Sequence, residues 1–266
     1  MNVNSAKLIY FSPTQTTRKV IEGISQGLQV VNVEHLDLTP PDAEIQKPQG
    51  WHDDLAVIGA PVYSGRLPAV AVSRFRKLEG NGAPAVIVVV YGNRAYEDAL
   101  LELRDVALEA GFKPIAAGAF VGEHSYSTNY TPIAVGRPDV EDLGKATAFG
   151  KMIREKMQYI PTLDQPGTLY LPGNLPYKEL RMLSDISPAT QEKLCTRCRM
   201  CPLVCPTAAI NVEDPSLMDK SLCIRCCACV KSCPAGVKTM DDPRIKQAAE
   251  QLSVNCNHRK EPETYL

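Results

Sequence analysis

The chain lacks the marks of several large functional classes. No apolar run is long enough to span a bilayer. Met1 to Ser5 lead straight into a strand-like segment, with no basic stretch followed by an apolar one, so no secretory leader is expected. A cytoplasmic protein is the expectation. The formal net charge of −1 carries no basic excess of the kind that binds nucleic acid. There are only four histidines and one tryptophan. Trp51 reads as packing, and His35, His52 and His258 read as surface. No G-x-G-x-x-G follows a strand, which removes the dinucleotide fingerprint. Gly80-Asn81-Gly82 reads as a turn, and Gly144-Lys145 lacks the rest of a Walker loop.

What is present in excess is cysteine. Eight of the ten fall in two runs: Cys195, Cys198, Cys201 and Cys205, then Cys223, Cys226, Cys229 and Cys233. Each run has the form C-x-x-C-x-x-C-x-x-x-C-P, and the second repeats the first at one constant offset. Zinc sites usually pair C-x-x-C units across a longer loop, often with histidine, whereas here each run has four cysteines and no nearby histidine. Disulfides suit this crowding poorly in a chain without a secretory leader. The spacing resembles that of two-cluster bacterial ferredoxins.

That resemblance implies two [4Fe–4S] clusters with crossed fourth ligands. Cys195, Cys198, Cys201 and Cys233 would hold one, and Cys223, Cys226, Cys229 and Cys205 the other. The clusters would make the loaded protein more acidic than its formal charge, and they suit an anaerobic setting. Cys227 and Cys256 read as unliganded thiols. Arg197 and Arg225, at matching positions in the two runs, read as solvated side chains.

Ahead of the cysteines, strand and helix alternate. Strands are expected at Lys7–Ser12, Gln29–Val33, Leu55–Ala60, Ala85–Val90 and Ile115–Val121. Helices are expected at Thr14–Leu28, Leu67–Leu78, Glu97–Ala110 and Asp139–Met157. This pattern predicts an α/β fold with a doubly wound, five-stranded parallel sheet, and the ferredoxin resemblance implies a small α+β cluster-binding domain after it. The expected boundaries are 1–157 for the first domain, 158–190 for a proline-rich linker packed on the surface, 191–242 for the cysteine domain, and 243–266 for a helix and polar tail.

Three loops fall at the carboxyl edge of that sheet, where open α/β sheets bind ligands. The first, Ser12-Pro13-Thr14-Gln15-Thr16-Thr17, joins a strand to a helix N-terminus rich in hydroxyls, a favourable seat for a phosphate. The second contains Pro61, Val62, Tyr63, Ser64 and Gly65. The third contains Tyr91, Gly92, Asn93, Arg94, Tyr96 and Asp98. The glycines allow close approach and the tyrosines can flank a flat ring. These loops resemble those of flavodoxin-like proteins, which implies FMN as cofactor. Pro13 and Gln15 depart from the small residues common in the phosphate loop, and Pro13 has no N–H to donate. After the fifth strand, Glu123, His124 and Ser125 reach the same edge, and His124 is a candidate proton shuttle.

Together the two resemblances imply a fusion of a flavodoxin-like domain and a ferredoxin. The expected function is a relay of electrons between a redox protein partner, the two clusters and FMN. The alternative is a flavin-dependent reductase of a small acceptor such as a quinone or nitro compound. A third reading gives the clusters a structural or sensing role only. No nucleic acid or membrane span enters any of these, and the proline-rich segment permits a homodimer.

Overall fold

The structure is a computed structural model, and it describes residues 4–43, 54–159, 169–180 and 185–266. Trp51, His52, Pro161, Leu163 and Pro166 lie outside the described residues. Strand β1 (Ser5–Tyr10) leads into helix α1 (Thr16–Leu28), then β2 (Asn32–Asp37) and β3 (Asp54–Pro61). Helix α2 (Ala69–Phe75), β4 (Pro84–Tyr91), α3 (Ala99–Glu109), β5 (Lys113–Val121) and α4 (Val140–Tyr159) follow.

The strand order is β2-β1-β3-β4-β5 with all pairings parallel. This is the flavodoxin-like doubly wound arrangement, with its switch point between β1 and β3. β3 and β4 are buried along their whole length, as their runs of Val, Ile and Ala demand in a sheet covered on both faces. One face packs under α2 and α3 around Phe75, Leu100, Leu103 and Phe112. The other packs under α1 and α4 around Val20, Ile24, Phe149 and Ile153. Between α1 and α4 the backbones nearly touch. A Cβ on Gly27 would lie 2.0 Å from the Thr147 carbonyl, and one on Gly150 2.1 Å from that of Ile24.

Most expected elements are found with shifted ends. The second strand starts later than Gln29, because Gln29 takes a left-handed conformation (φ 54°) that ends α1. The α2 helix is shorter than Leu67–Leu78, since Pro68 precedes it and the chain turns at Arg76.

The C-terminal helix is found where it was expected, and the polar tail after it carries a strand that was not expected. Helix α7 (Pro243–Asn255) is capped by the Asp242 side chain, which accepts from the Arg244 N–H. It is followed by a strand, Glu263–Tyr265, here β8, antiparallel to β5. The sheet therefore has six strands, and β8 covers what would be the open edge of β5.

The cysteine segment repeats in its backbone as in its sequence. Short helices α5 (Met200–Leu203) and α6 (Ala228–Lys231) occupy matching positions. The residues before them are left-handed in matching pairs, Arg197 with Arg225 and Arg199 with Cys227. Strands β6 (Ala189–Thr190) and β7 (Lys238–Thr239) close the segment as an antiparallel pair.

Residues 169–180 pack against the α3 side of the sheet. Leu169 joins that core, and Asp98 accepts from the backbone N–H groups of Asn174 and Lys178. No helix among the described residues is long and apolar enough to cross a membrane.

Candidate functional site

The carboxyl ends of β1, β3, β4 and β5 open into a cavity of about 500 Å³. A volume of this size lies within the usual range for small-molecule and cofactor sites. Thr14 and Thr16 line it from the first loop, and Pro61, Val62, Tyr63 and Ser64 from the second. Tyr91, Gly92 and Arg94 line it from the third, and Glu123, His124 and Ser125 from the loop after β5. All four sequence-predicted loops therefore meet at one place.

Several predicted residues sit behind this cavity. Ser12 is buried, and its Oγ accepts from the Arg18 N–H in the first turn of α1. Its own N–H donates to Thr39 Oγ1, and its carbonyl accepts from the backbone N–H and side-chain amide of Gln15. Ser12 thus caps α1, and Gln15 stabilises the turn before it. Gly65 approaches Glu97 so closely that a Cβ there would lie 1.9 Å from Glu97 Oε2.

Asn93, Tyr96 and Asp98 belong to the scaffold. Asn93 donates to the carbonyls of Cys256 and His258. The Tyr96 hydroxyl meets Glu263 and Tyr265 of β8, and Asp98 holds the segment 174–178.

Thr17 stands apart. It is fully buried, and its Oγ1 has no hydrogen-bond partner among the described residues. A buried hydroxyl without a partner carries a free-energy cost, so it marks a place where a further acceptor is wanted.

The walls of the cavity hold groups shifted by burial. Burial, with the nearby Arg94 and Lys231 cations, pushes the His124 pKa down to about 4. Its Nδ1 accepts from the Tyr126 N–H at 3.1 Å, which assigns the imidazole proton to Nε2 near neutrality. Tyr91 and Tyr126 are pushed up to about 12, mainly by burial. The histidine ring lies over Gly92, where a Cβ would come within 2.3 Å of Cδ2. Glu123 is held below its ordinary range against burial, by Lys231 and the Gly136 N–H.

Sequence reasoning missed the far wall. Ile224 and Arg225 from the second cysteine run line the cavity, as do Ala248, Gln251, Leu252, Asn255 and Cys256 of and just after α7. Tyr126 was in a recognised loop, and its ring is a predictable wall. The α7 residues carry no signal, because only the fold brings them to this edge.

The eight run cysteines sort into two sets around two small cavities. One is lined by Cys195, Cys198, Cys201 and Cys233. The other is lined by Cys205, Cys223, Cys226 and Cys229, with Cys227 beside them. In the first set Cys198 is exposed, whereas Cys205, Cys226 and Cys229 of the second are buried. Ile224 lines both the second cysteine cavity and the large cavity. The Ala209 N–H donates to Cys205 Sγ at 3.3 Å. Buried Lys238 donates to Thr190 Oγ1 and the Pro215 carbonyl beside the first set. Among the described residues no three His, Cys, Asp or Glu side chains converge as they would on a single metal ion.

Contacts tie the cysteine segment to the sheet. Lys231 reaches Glu123 at 2.7 Å and the Ser127 carbonyl at 2.8 Å. Arg74 of α2 donates to the Pro206 carbonyl at 2.7 Å.

No family model matches the chain, and no curated protein matches it. Among solved structures, a flavodoxin from the domain Archaea is 15% identical over 58% of this chain and 99% of its own, with a TM-score of 0.38. A flavodoxin of Streptococcus pneumonia TIGR4 is 17% identical over 57% of this chain and 99% of its own, with a TM-score of 0.40. The rubredoxin oxygen:oxidoreductase of the anaerobe Desulfovibrio gigas is 11% identical over 59% of this chain and 36% of its own, with a TM-score of 0.40. At these scores the likenesses carry no weight on function, and the fold assignment stands on the strand order.

Proposed function

We propose that this chain is an electron-transfer protein that seats FMN in the large cavity and a [4Fe–4S] cluster in each cysteine set. It would relay electrons between a redox protein partner and the flavin. The observation that carries this reading is the partition of the cysteines. Each small cavity is ringed by three thiols of one run and the remote fourth of the other, as crossed two-cluster ligation requires.

When bound, the clusters exchange single electrons and the flavin one or two. The protein's part is to hold them and govern access. The eight cysteines would hold the iron as thiolates, and the N–H bond to Cys205 and the cation of Lys238 would offset charge near the sulfurs. Thr14 and Thr16 line the flavin cavity and would meet the phosphate, and the Thr17 hydroxyl has no partner among the described residues. Tyr63, Tyr91 and Tyr126 supply aromatic walls that exclude water. The second cysteine cavity adjoins the flavin cavity within one chain, so the relay needs no second copy. The first set, with Cys198 exposed, is the side open to a protein partner.

One observation favours the reductase as a second reading. A further cavity of about 420 Å³ shares Ser125 and Tyr126 with the flavin cavity and Cys227 with the second cysteine cavity. Neutral His124, with its proton on Nε2, is placed at the flavin cavity as a donor.

The test is cofactor analysis and turnover of anaerobically purified protein. The relay predicts about eight irons and one FMN per chain, with reduced protein passing electrons to protein partners. Steady turnover of a quinone or nitro compound would favour the reductase. Zinc in place of iron, or no flavin, would overturn both.

A further inference from the structure

We propose that Arg225 is a flavin-binding residue supplied by the cysteine segment, and that it couples flavin affinity to the second cysteine set but not to the first. This rests on the large cavity being the flavin seat.

Arg225 lies between Cys223 and Cys226, with its backbone left-handed at φ 56°. It is half-buried and lines the large cavity. Its guanidinium also hydrogen-bonds the side chain of Tyr126, another wall of that cavity. Ile224, its neighbour, separates the large cavity from the second cysteine cavity. The same short loop therefore faces a thiol set on one side and the flavin seat on the other.

The internal repeat supplies a control within the molecule. Arg197 occupies the matching place between Cys195 and Cys198, with φ 53°. Yet Arg197 is exposed and lines the small cavity of the first set, not the large cavity. Two arginines at one position of a repeat thus have different surroundings. The difference comes from tertiary placement, since only the second loop is laid against the ends of β3, β4 and β5.

The chemistry suits the ligand. FMN carries a phosphate dianion and a ring with carbonyl oxygens, and a guanidinium is a forked donor to such groups. The loop is held between two cysteines of the second set, so assembly of that set fixes Ile224 and Arg225 in the cavity wall. By linkage, flavin binding then favours an assembled second set to the same degree.

The test uses the full chain with iron content measured for every sample, and FMN affinity read by quenching of flavin fluorescence. Arg225→Gln is expected to weaken FMN binding about tenfold to a hundredfold. Arg225→Lys should fall between Gln and wild type. Arg197→Gln should bind FMN as wild type does. Tyr126→Phe, which removes the phenol that meets Arg225, should cost less than Arg225→Gln. Cys226→Ala should weaken FMN binding more than Cys198→Ala does. If Arg225→Gln also loses iron, Arg225→Lys decides: weaker FMN binding at full iron content supports the assignment, and unchanged binding overturns it. Wild-type affinity in Arg225→Gln, or equal losses in Arg197→Gln, overturns the inference. A wild-type chain that holds iron but takes up no FMN overturns the proposed function itself.

Discussion

Asn93 Nδ2 lies 2.7 Å from the backbone carbonyl of Cys256, and equally close to that of His258. Its Oδ1 accepts from the Lys260 N–H at 3.3 Å. One buried amide thus fastens the chain leaving α7 to the loop after β4, and with it the α7 wall of the large cavity. Replacing Asn93 by Ala leaves two carbonyls and an N–H without partners. We expect a loss of about 1–3 kcal/mol in stability, seen as a lower Tm. Limited proteolysis should also cut sooner beyond Asn255. An unchanged Tm and cleavage pattern would mean that β8 and the Arg259–Asp139 pair hold the tail without Asn93.

Thr17 gives a test in which two readouts move apart. Its hydroxyl is buried and has no partner among the described residues, so Thr17→Val removes a desolvated group with little change of shape. The flavin-free protein should be as stable as wild type or more so, by up to about 1–2 kcal/mol. If the hydroxyl serves the flavin phosphate, FMN affinity should nonetheless fall by about tenfold. Loss of stability without loss of affinity would assign Thr17 a structural role.

His124 makes a pH prediction of definite sign. Its folded pKa is about 4, against an ordinary value near 6.5. Between these values the unfolded chain binds the proton and the folded chain does not. The stability that neutral His124 contributes is therefore complete above about pH 6.5 and is lost as the pH falls toward 4. Thermal melts should show His124→Gln losing less stability than wild type across that window. Parallel curves would place the imidazole in contact with solvent.

The cysteine sets predict which variants share a phenotype. Cys233→Ala should lose the same iron–sulfur signal as Cys198→Ala, about half of the iron, although the two cysteines lie in different runs. Cys205→Ala should match Cys226→Ala. Electron paramagnetic resonance of the reduced variants reads this directly. If Cys233→Ala matched Cys226→Ala instead, the crossed assignment would be wrong.

Much of this was legible in the sequence because it lies in local pattern. Ala85 to Val90, a run rich in β-branched residues, reads as a strand and is buried along its length, and the helix expected to end at Ala110 gives way there to Gly111 at φ 82°. Loops at strand ends were legible too, since strand order and direction bring them to one edge. What was not legible depends on contacts distant in sequence. Glu263-Thr264-Tyr265 is too short and polar to announce a strand. It becomes β8 because β5 offers a free edge and Tyr96 meets Glu263 and Tyr265 there. Asn93, Tyr96 and Asp98 looked like ring contacts because they sit in the right loop, yet their side chains turn to the tail and to residues 174–178. Arg225 looked like its repeat partner Arg197, and no local signal separates them. The position of the second cysteine loop against the sheet does.

The most direct measurement is a potentiometric titration of the anaerobically purified full chain, followed by optical spectra for the flavin and electron paramagnetic resonance for the clusters. The relay predicts that both iron–sulfur signals and the flavin signal change with potential in the same sample. It predicts further that the signal lost in Cys226→Ala is the one magnetically coupled to the flavin. Clusters that stay oxidised at potentials that fully reduce the flavin would contradict it.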